Sequence, residues 1–213
     1  MTFRVAVLAS HTGSNLRALT AAAGRPGAGY AVTLVISNNS GAGALAHARE
    51  SGIPARHLSG RTHPQSADLD AAVVAELREH ATDLVVTAGY LKRLGPRTLR
   101  EYAGRIVNVH PSLLPRHTGP GLHGHHVHRA VLAAGECLTG VSVHLVVPDG
   151  RPHTVLAARP VPVRPGDTVE SLAGRVLPIE HALLPATVQA LALAAGAAGA
   201  AGAAGATSAA EGS

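Results

Sequence analysis

Cysteine is almost missing from this 213-residue chain. Cys137 stands alone, so no intramolecular disulfide can form, and a reducing compartment, the cytoplasm, is the expected location. Tryptophan is absent and aromatics total 2%, so the core has to be built from Val, Leu and Ala. So few aromatics leave little on which nucleobases could stack. The basic residues are also scattered, and both features argue against a nucleic-acid partner. Lys92 is the only lysine, and the net charge of +5 rests almost wholly on arginine. That sign suits an anionic small-molecule substrate. No apolar run approaches the roughly 18–20 residues of a membrane span, and the opening MTFRVAVLAS reads as a first strand, not a leader. What is abundant is aliphatic: 46% hydrophobic against 15% charged residues, the balance of a globular protein; a monomer or homodimer is the expected assembly.

The runs Phe3–Ala9, Tyr30–Ser37, Pro54–Leu58, Asp83–Ala88 and Arg105–Val109 are β-branched and bounded by breakers, as buried strands are. Between them, Asn15–Ala23, Gly41–Glu50 and Asp68–His80 carry helical spacing. This alternation predicts a parallel, doubly wound sheet over about residues 1–110. Gly140–Val147 and Thr154–Val163 flank the turn signal Asp149-Gly150, which predicts a hairpin and hence a mixed sheet. Thr168–Leu193 reads as one or two helices, with Asp167 or Thr168 as N-cap and Glu170 near the start. Residues 194–213 are nearly all Ala, Gly and Ser. They offer too little to bury and are expected to lack fixed structure, leaving 1–193 as one domain.

Three segments carry possible chemistry. Ser10-His11-Thr12-Gly13-Ser14-Asn15 is a small-residue turn feeding a helix, where exposed N–H groups and the helix dipole favour phosphate. It matches neither a Walker A loop nor GxGxxG, and such a turn also serves merely to reverse the chain. Asn108 and His110 stand two apart at the C-terminal end of a strand, so both side chains share one face. Open α/β sheets place ligands at that end. An Asn amide can donate to an oxyanion and a His can move protons near neutrality. A histidine tied into a tight turn is the equally plain alternative. The segment from His117 to His128 is histidine-rich, and His123/His126 and His125/His128 have i,i+3 spacing. No Cys or carboxylate joins them at a zinc-site spacing, so the expectation is no metal, with these histidines capping a helix and meeting substrate.

Taken together, Ser10-x-x-Gly13-Ser14-Asn15-Leu16, S-N-N at 37–39, A-G-Y-L-K-R-L at 88–94, N-V-H-P-S-L-L-P at 108–115, P-G-L-H at 120–123 and T-G-V-S-V-H at 139–144 resemble the glycinamide ribonucleotide formyltransferase family, in order and near its spacing, over about residues 3–193. The resemblance implies a Rossmann-like formyltransferase fold, an α/β architecture with a mixed, mostly parallel sheet and helices on both faces. It implies formyl transfer from the co-substrate 10-formyltetrahydrofolate to a primary amine, glycinamide ribonucleotide first among acceptors, in purine biosynthesis. By position, Gly13, Ser14 and Asn15 would hold the substrate phosphate and Glu180 would meet the ribonucleotide. Leu91, Arg93 and Leu94 would line the pterin slot, and Asn108 and His110 would polarise the formyl carbonyl and assist proton transfer.

One position departs from the family. An ungapped count places Arg151 where the family carries the Asp that orients the catalytic histidine. A cation there lowers the histidine's pKa, whereas a carboxylate raises it. Asp149, two residues earlier, is the carboxylate expected to serve His110 if the hairpin is reshaped. The other outcomes are a different amine acceptor, a slow enzyme, or a relative that binds folate or nucleotide without turnover.

Overall fold

Strands buried on both faces need apolar residues at every position, not every second one. β1 (Phe3–Leu8), β2 (Tyr30–Ser37), β4 (Leu84–Thr87) and β5 (Ile106–His110) are mostly apolar, with Arg4, Thr33, Ser37, Thr87, Asn108 and His110 as their polar members, and form the middle of the sheet, which has seven strands among the described residues. The structure, a computed structural model, describes residues 2–119, 121–147 and 154–210, and side chains as far as 198. The remaining strands are β3 (Ala55–His57), β6 (Leu138–Leu145) and β7 (Thr154–Pro162). Strand order is β3-β2-β1-β4-β5-β6-β7, with β1 to β5 parallel and β6 and β7 antiparallel. The expected mixed, mostly parallel sheet is therefore present.

The helices are α1 (Ser14–Ala23), α2 (Gly43–Glu50), α3 (Ser66–Glu79), α4 (Pro96–Glu101), α5 (His125–Ala133) and α6 (Val169–Ala210). On one face Val5, Val7, Val86, Val107 and Val109 pack with Leu16 and Leu19 of α1, Val127 of α5 and Leu172 and Leu184 of α6. On the other, Leu8, Ile36 and Ile106 meet Val73 and Leu77 of α3. Truncating one such fully buried leucine to alanine costs about 2–5 kcal/mol. The chain runs from β1 outward to β2 and β3, then returns across β1 to β4. The crevice thus opens at the C-terminal ends of β1 and β4, where the winding reverses.

α6 runs as one helix to Ala210, through Gly196, Gly199, Gly202 and Gly205 that weaken a helix and the alanines between them that favour it. Residues 169–198 of α6 are also long and apolar enough, by length and composition, to pass as a membrane span, which no reading of short apolar runs foresaw. Yet Leu172, Val176, Leu184 and Val188 are fully buried against the sheet, as in a core helix. α6 starts with reciprocal capping: Thr168 N–H donates to Ser171 Oγ at 2.9 Å and Ser171 N–H to Thr168 Oγ1 at 3.2 Å. α4, six residues long, escaped the periodicity. Buried Asp70 of α3 caps it, accepting from Arg97 N–H at 2.7 Å and Thr98 N–H at 3.1 Å.

Candidate active site

β1 delivers the small-residue turn to the crevice. Gly13 takes φ +76° as N-cap of α1, and a Cβ there would lie 2.8 Å from Ala44 Cα. Only glycine allows both the left-handed conformation and the close seat against α2. No side chain caps α1, so its first-turn N–H groups, which have no intrahelical partner, face the cleft entrance. Asn15 Nδ2 donates to Glu180 Oε2 at 2.8 Å, joining α1 to α6. Burial pushes the Glu180 carboxyl above the usual range, and the Asn15 bond partly opposes the rise.

The segment after β4 is pinned to the end of β1. Leu91 N–H donates to Ser10 Oγ at 2.8 Å, Ser10 N–H donates to Gly89 O at 3.1 Å, and Ser10 Oγ in turn donates to Asn38 Oδ1. Ser10 itself is buried. Burial also raises the Tyr90 phenol above its ordinary value.

Asn108 sits in a row of three side chains made by strand register, Thr87 on β4, Asn108 on β5 and His144 on β6. Thr87 Oγ1 donates to Asn108 Oδ1 at 2.9 Å, and Asn108 Nδ2 lies 3.1 Å from His144 Nε2. His110, buried, donates through Nε2 to His117 O at 2.9 Å, and His117 adopts φ +54° to present that carbonyl. The loop between them is tied to β6, where Ser142 Oγ donates to Ser112 O at 2.8 Å and accepts from Leu114 N–H at 3.1 Å. Behind His110, burial with His125 and His110 nearby brings the His128 imidazole down to about 4.

These residues frame two adjoining clefts. The first, about 270 Å³, is lined by the turn from His11 to Asn15 and by Leu91, Asn108, His110, His123 and Glu180. The second, about 480 Å³, is lined by Thr87, Arg93, Leu94, Asn108, His144 and Val146. Asn108 and Tyr90 line both and form the wall between them.

Of the residues singled out in the sequence, Gly13, Ser14, Asn15, Glu180, Asn108 and His110 come together in the first cleft. Leu91 borders the first cleft, and Arg93 and Leu94 border the adjoining second one. Asp149 and Arg151 lie outside the described residues. α5 opens at Gly124 without a side-chain cap bond, so its histidines do not cap it, and among the described residues no three His, Cys, Asp or Glu converge as metal ligands would. Sequence reasoning gave no role to Thr87, Tyr90 or His144, and took Ser10 only as the start of the phosphate turn. Thr87 ends the apolar run before A-G-Y, and its polarity there was the available signal.

Comparison with known proteins follows the same lines. The formyl transferase family model matches residues 3–188. The phosphoribosylglycinamide formyltransferase of Mycobacterium tuberculosis is 39% identical over 189 residues, 89% of this chain and 85% of that protein. The trifunctional purine biosynthetic protein adenosine-3 of Bos taurus is 38% identical over 189 residues, 89% of this chain, which spans only 18% of that protein's length. The crystal structure of phosphoribosylglycinamide formyltransferase from Brucella melitensis superposes with a TM-score of 0.83 at 39% identity, covering 90% of this chain and 96% of that one.

Proposed function

The chain belongs to the formyl transferase family, and from that premise we propose that it transfers the formyl group of 10-formyltetrahydrofolate to the primary amine of glycinamide ribonucleotide, a step of purine biosynthesis. The observation that carries the reading is the shared wall: Asn108 borders both a cleft that begins at a helix N-terminus and a second cleft beside it. Two substrates seated in the two clefts meet at that amide.

In the first cleft the N–H groups at Gly13, Ser14 and Asn15 hold the acceptor's phosphate. Glu180, a carboxylate, would repel a phosphate, so its part is to accept from the acceptor's hydroxyl or amine groups. In the second cleft Arg93 and Leu94 border the folate, the one-carbon donor. The neutral amine attacks the formyl carbon, and the carbonyl π pair moves onto oxygen. Asn108 Nδ2–H donates to that oxyanion. Nε2 of His110 carries a proton held by His117 O, which leaves Nδ1 as the basic nitrogen of the neutral ring. His110 accepts the proton released as the amine bonds, and a proton returns to N10 as the carbon–N10 bond breaks. The products are the formamide and tetrahydrofolate. No covalent enzyme intermediate is required, and positioning supplies the rest.

Absorbance at the folate chromophore tests the reading, with purified protein, glycinamide ribonucleotide and simple primary amines offered in turn. Release of folate with the ribonucleotide alone supports it. Turnover with another amine moves the assignment to a different acceptor. Binding of folate without turnover on any amine identifies a non-catalytic relative, the outcome that Arg151 at the family's Asp position favours.

A further inference from the structure

We infer that Thr87 is a positioning residue that fixes which way round the Asn108 side-chain amide points. The inference rests on the reading of Asn108 as the amide that polarises the formyl carbonyl. An Asn amide has two ends of nearly equal shape and opposite polarity. Only its NH₂ end stabilises a developing oxyanion; the carbonyl end repels it. Something in the site has to select one orientation.

Strand register supplies two selectors, one on each side. His144 Nδ1 lies 3.0 Å from Leu145 O. A carbonyl only accepts, so Nδ1 carries the hydrogen, and Nε2 of the neutral ring is an acceptor. That acceptor lies 3.1 Å from Asn108 Nδ2, which places the NH₂ end toward β6. Asn108 Oδ1 then falls toward β4, where the Thr87 hydroxyl stands 2.9 Å away. The same hydroxyl is 3.2 Å from Val107 O, but it has one hydrogen, and the shorter bond goes to Oδ1. Thr87 is buried, with little of its surface open to the second cleft that it borders.

The amide nitrogen has two hydrogens. His144 takes one, and the second is left for the reacting carbonyl. A donor on Oδ1 draws electron density from the nitrogen and makes that second N–H a better donor. Removing the hydroxyl leaves Oδ1 against a methyl group. The amide then turns to recover a partner, and the second N–H leaves its line toward the formyl oxygen.

The test compares wild type, Thr87→Val, Thr87→Ser and Asn108→Ala. Valine keeps the branched shape and suits a strand, so the fold survives; a matching melting temperature verifies it. The expected result is a kcat about three- to tenfold lower in Thr87→Val, the weight of one neutral hydrogen bond. KM for both substrates should stay within about twofold, since ground-state binding is untouched. Thr87→Ser should restore kcat. An unchanged kcat in Thr87→Val, or a serine variant as impaired as the valine variant, overturns the inference. Full activity in Asn108→Ala instead overturns the site reading on which it rests. If wild type turns over no amine, the orientation is read directly from the Asn108 side-chain resonances in ¹⁵N–¹H spectra. Thr87→Val should shift the two Nδ2 protons and Thr87→Ser should return them, and signals indifferent to Thr87→Val overturn the inference.

Discussion

Replacing Gly13 with alanine tests the turn at the mouth of the first cleft. Two penalties combine there. Gly13 has φ +76°, and a non-glycine residue in that left-handed region costs roughly 1–2 kcal/mol. Its new Cβ would also lie 2.8 Å from Ala44 Cα, a backbone atom of α2 that cannot rotate away, and such overpacking costs about 1–3 kcal/mol. Lower entropy of the unfolded alanine chain returns about 0.4–1 kcal/mol. The net destabilisation is about 2–3 kcal/mol, which lowers the melting temperature of a domain this size by roughly 4–12 °C. Gly52 is the control, because it has φ +68° but nothing within 4 Å of a Cβ. Gly52→Ala should carry the conformational penalty alone, about 1 kcal/mol. Relief of the clash pushes the turn outward, so Gly13→Ala should also raise KM for the acceptor about tenfold, whereas Gly52→Ala leaves it alone. Scanning calorimetry and steady-state kinetics on both variants read the effect. Equal melting temperatures and an unchanged KM would refute the close packing of α1 on α2 as the determinant of the phosphate seat.

His128 makes stability depend on pH. Its folded pKa is near 4 against an ordinary 6.5, so the unfolded chain binds the proton first as pH falls, and stability drops between those values by about 2–3 kcal/mol. Urea melts at pH 7 and pH 4.5 should show a smaller pH dependence in His128→Leu than in wild type; equal dependences contradict the burial argument. Glu180 acts in the opposite sense. Its folded carboxyl holds the proton more tightly than the unfolded one, so ionisation penalises folding once pH passes the unfolded value near 4. Glu180→Gln keeps an acceptor for Asn15, and it should melt higher than wild type at pH 7 with the gap closing below about pH 4. The same variant should bind the acceptor less well, and unchanged acceptor KM would remove Glu180 from the site.

The sheet was largely readable because its parallel strands are mostly β-branched, apolar runs bounded by breakers and the helices between them keep their spacing. α4 was not, since six residues opening Gly95-Pro96 show no period and depend on Asp70 from α3 for their cap. The pairing of Asn108 with His110 was legible from alternation along a single strand. The pairing of Asn108 with Thr87 and His144 was not, because it depends on register between strands separated by 21 and 36 residues. The anchoring of Leu91 has the same origin: Ser10, 81 residues away, holds its backbone N–H. Local spacing shows which side chains share a face; it does not show which neighbours that face meets.

Formyl transfer to glycinamide ribonucleotide by wild type, Asn108→Ala and His110→Ala, with acceptor affinity measured calorimetrically on each, reads the chemistry at the shared wall. Loss of one oxyanion donor or one proton-transfer group should lower kcat by about 10²–10⁴ while the acceptor dissociation constant barely moves. A variant of either residue that transfers formyl at the wild-type rate would contradict the account.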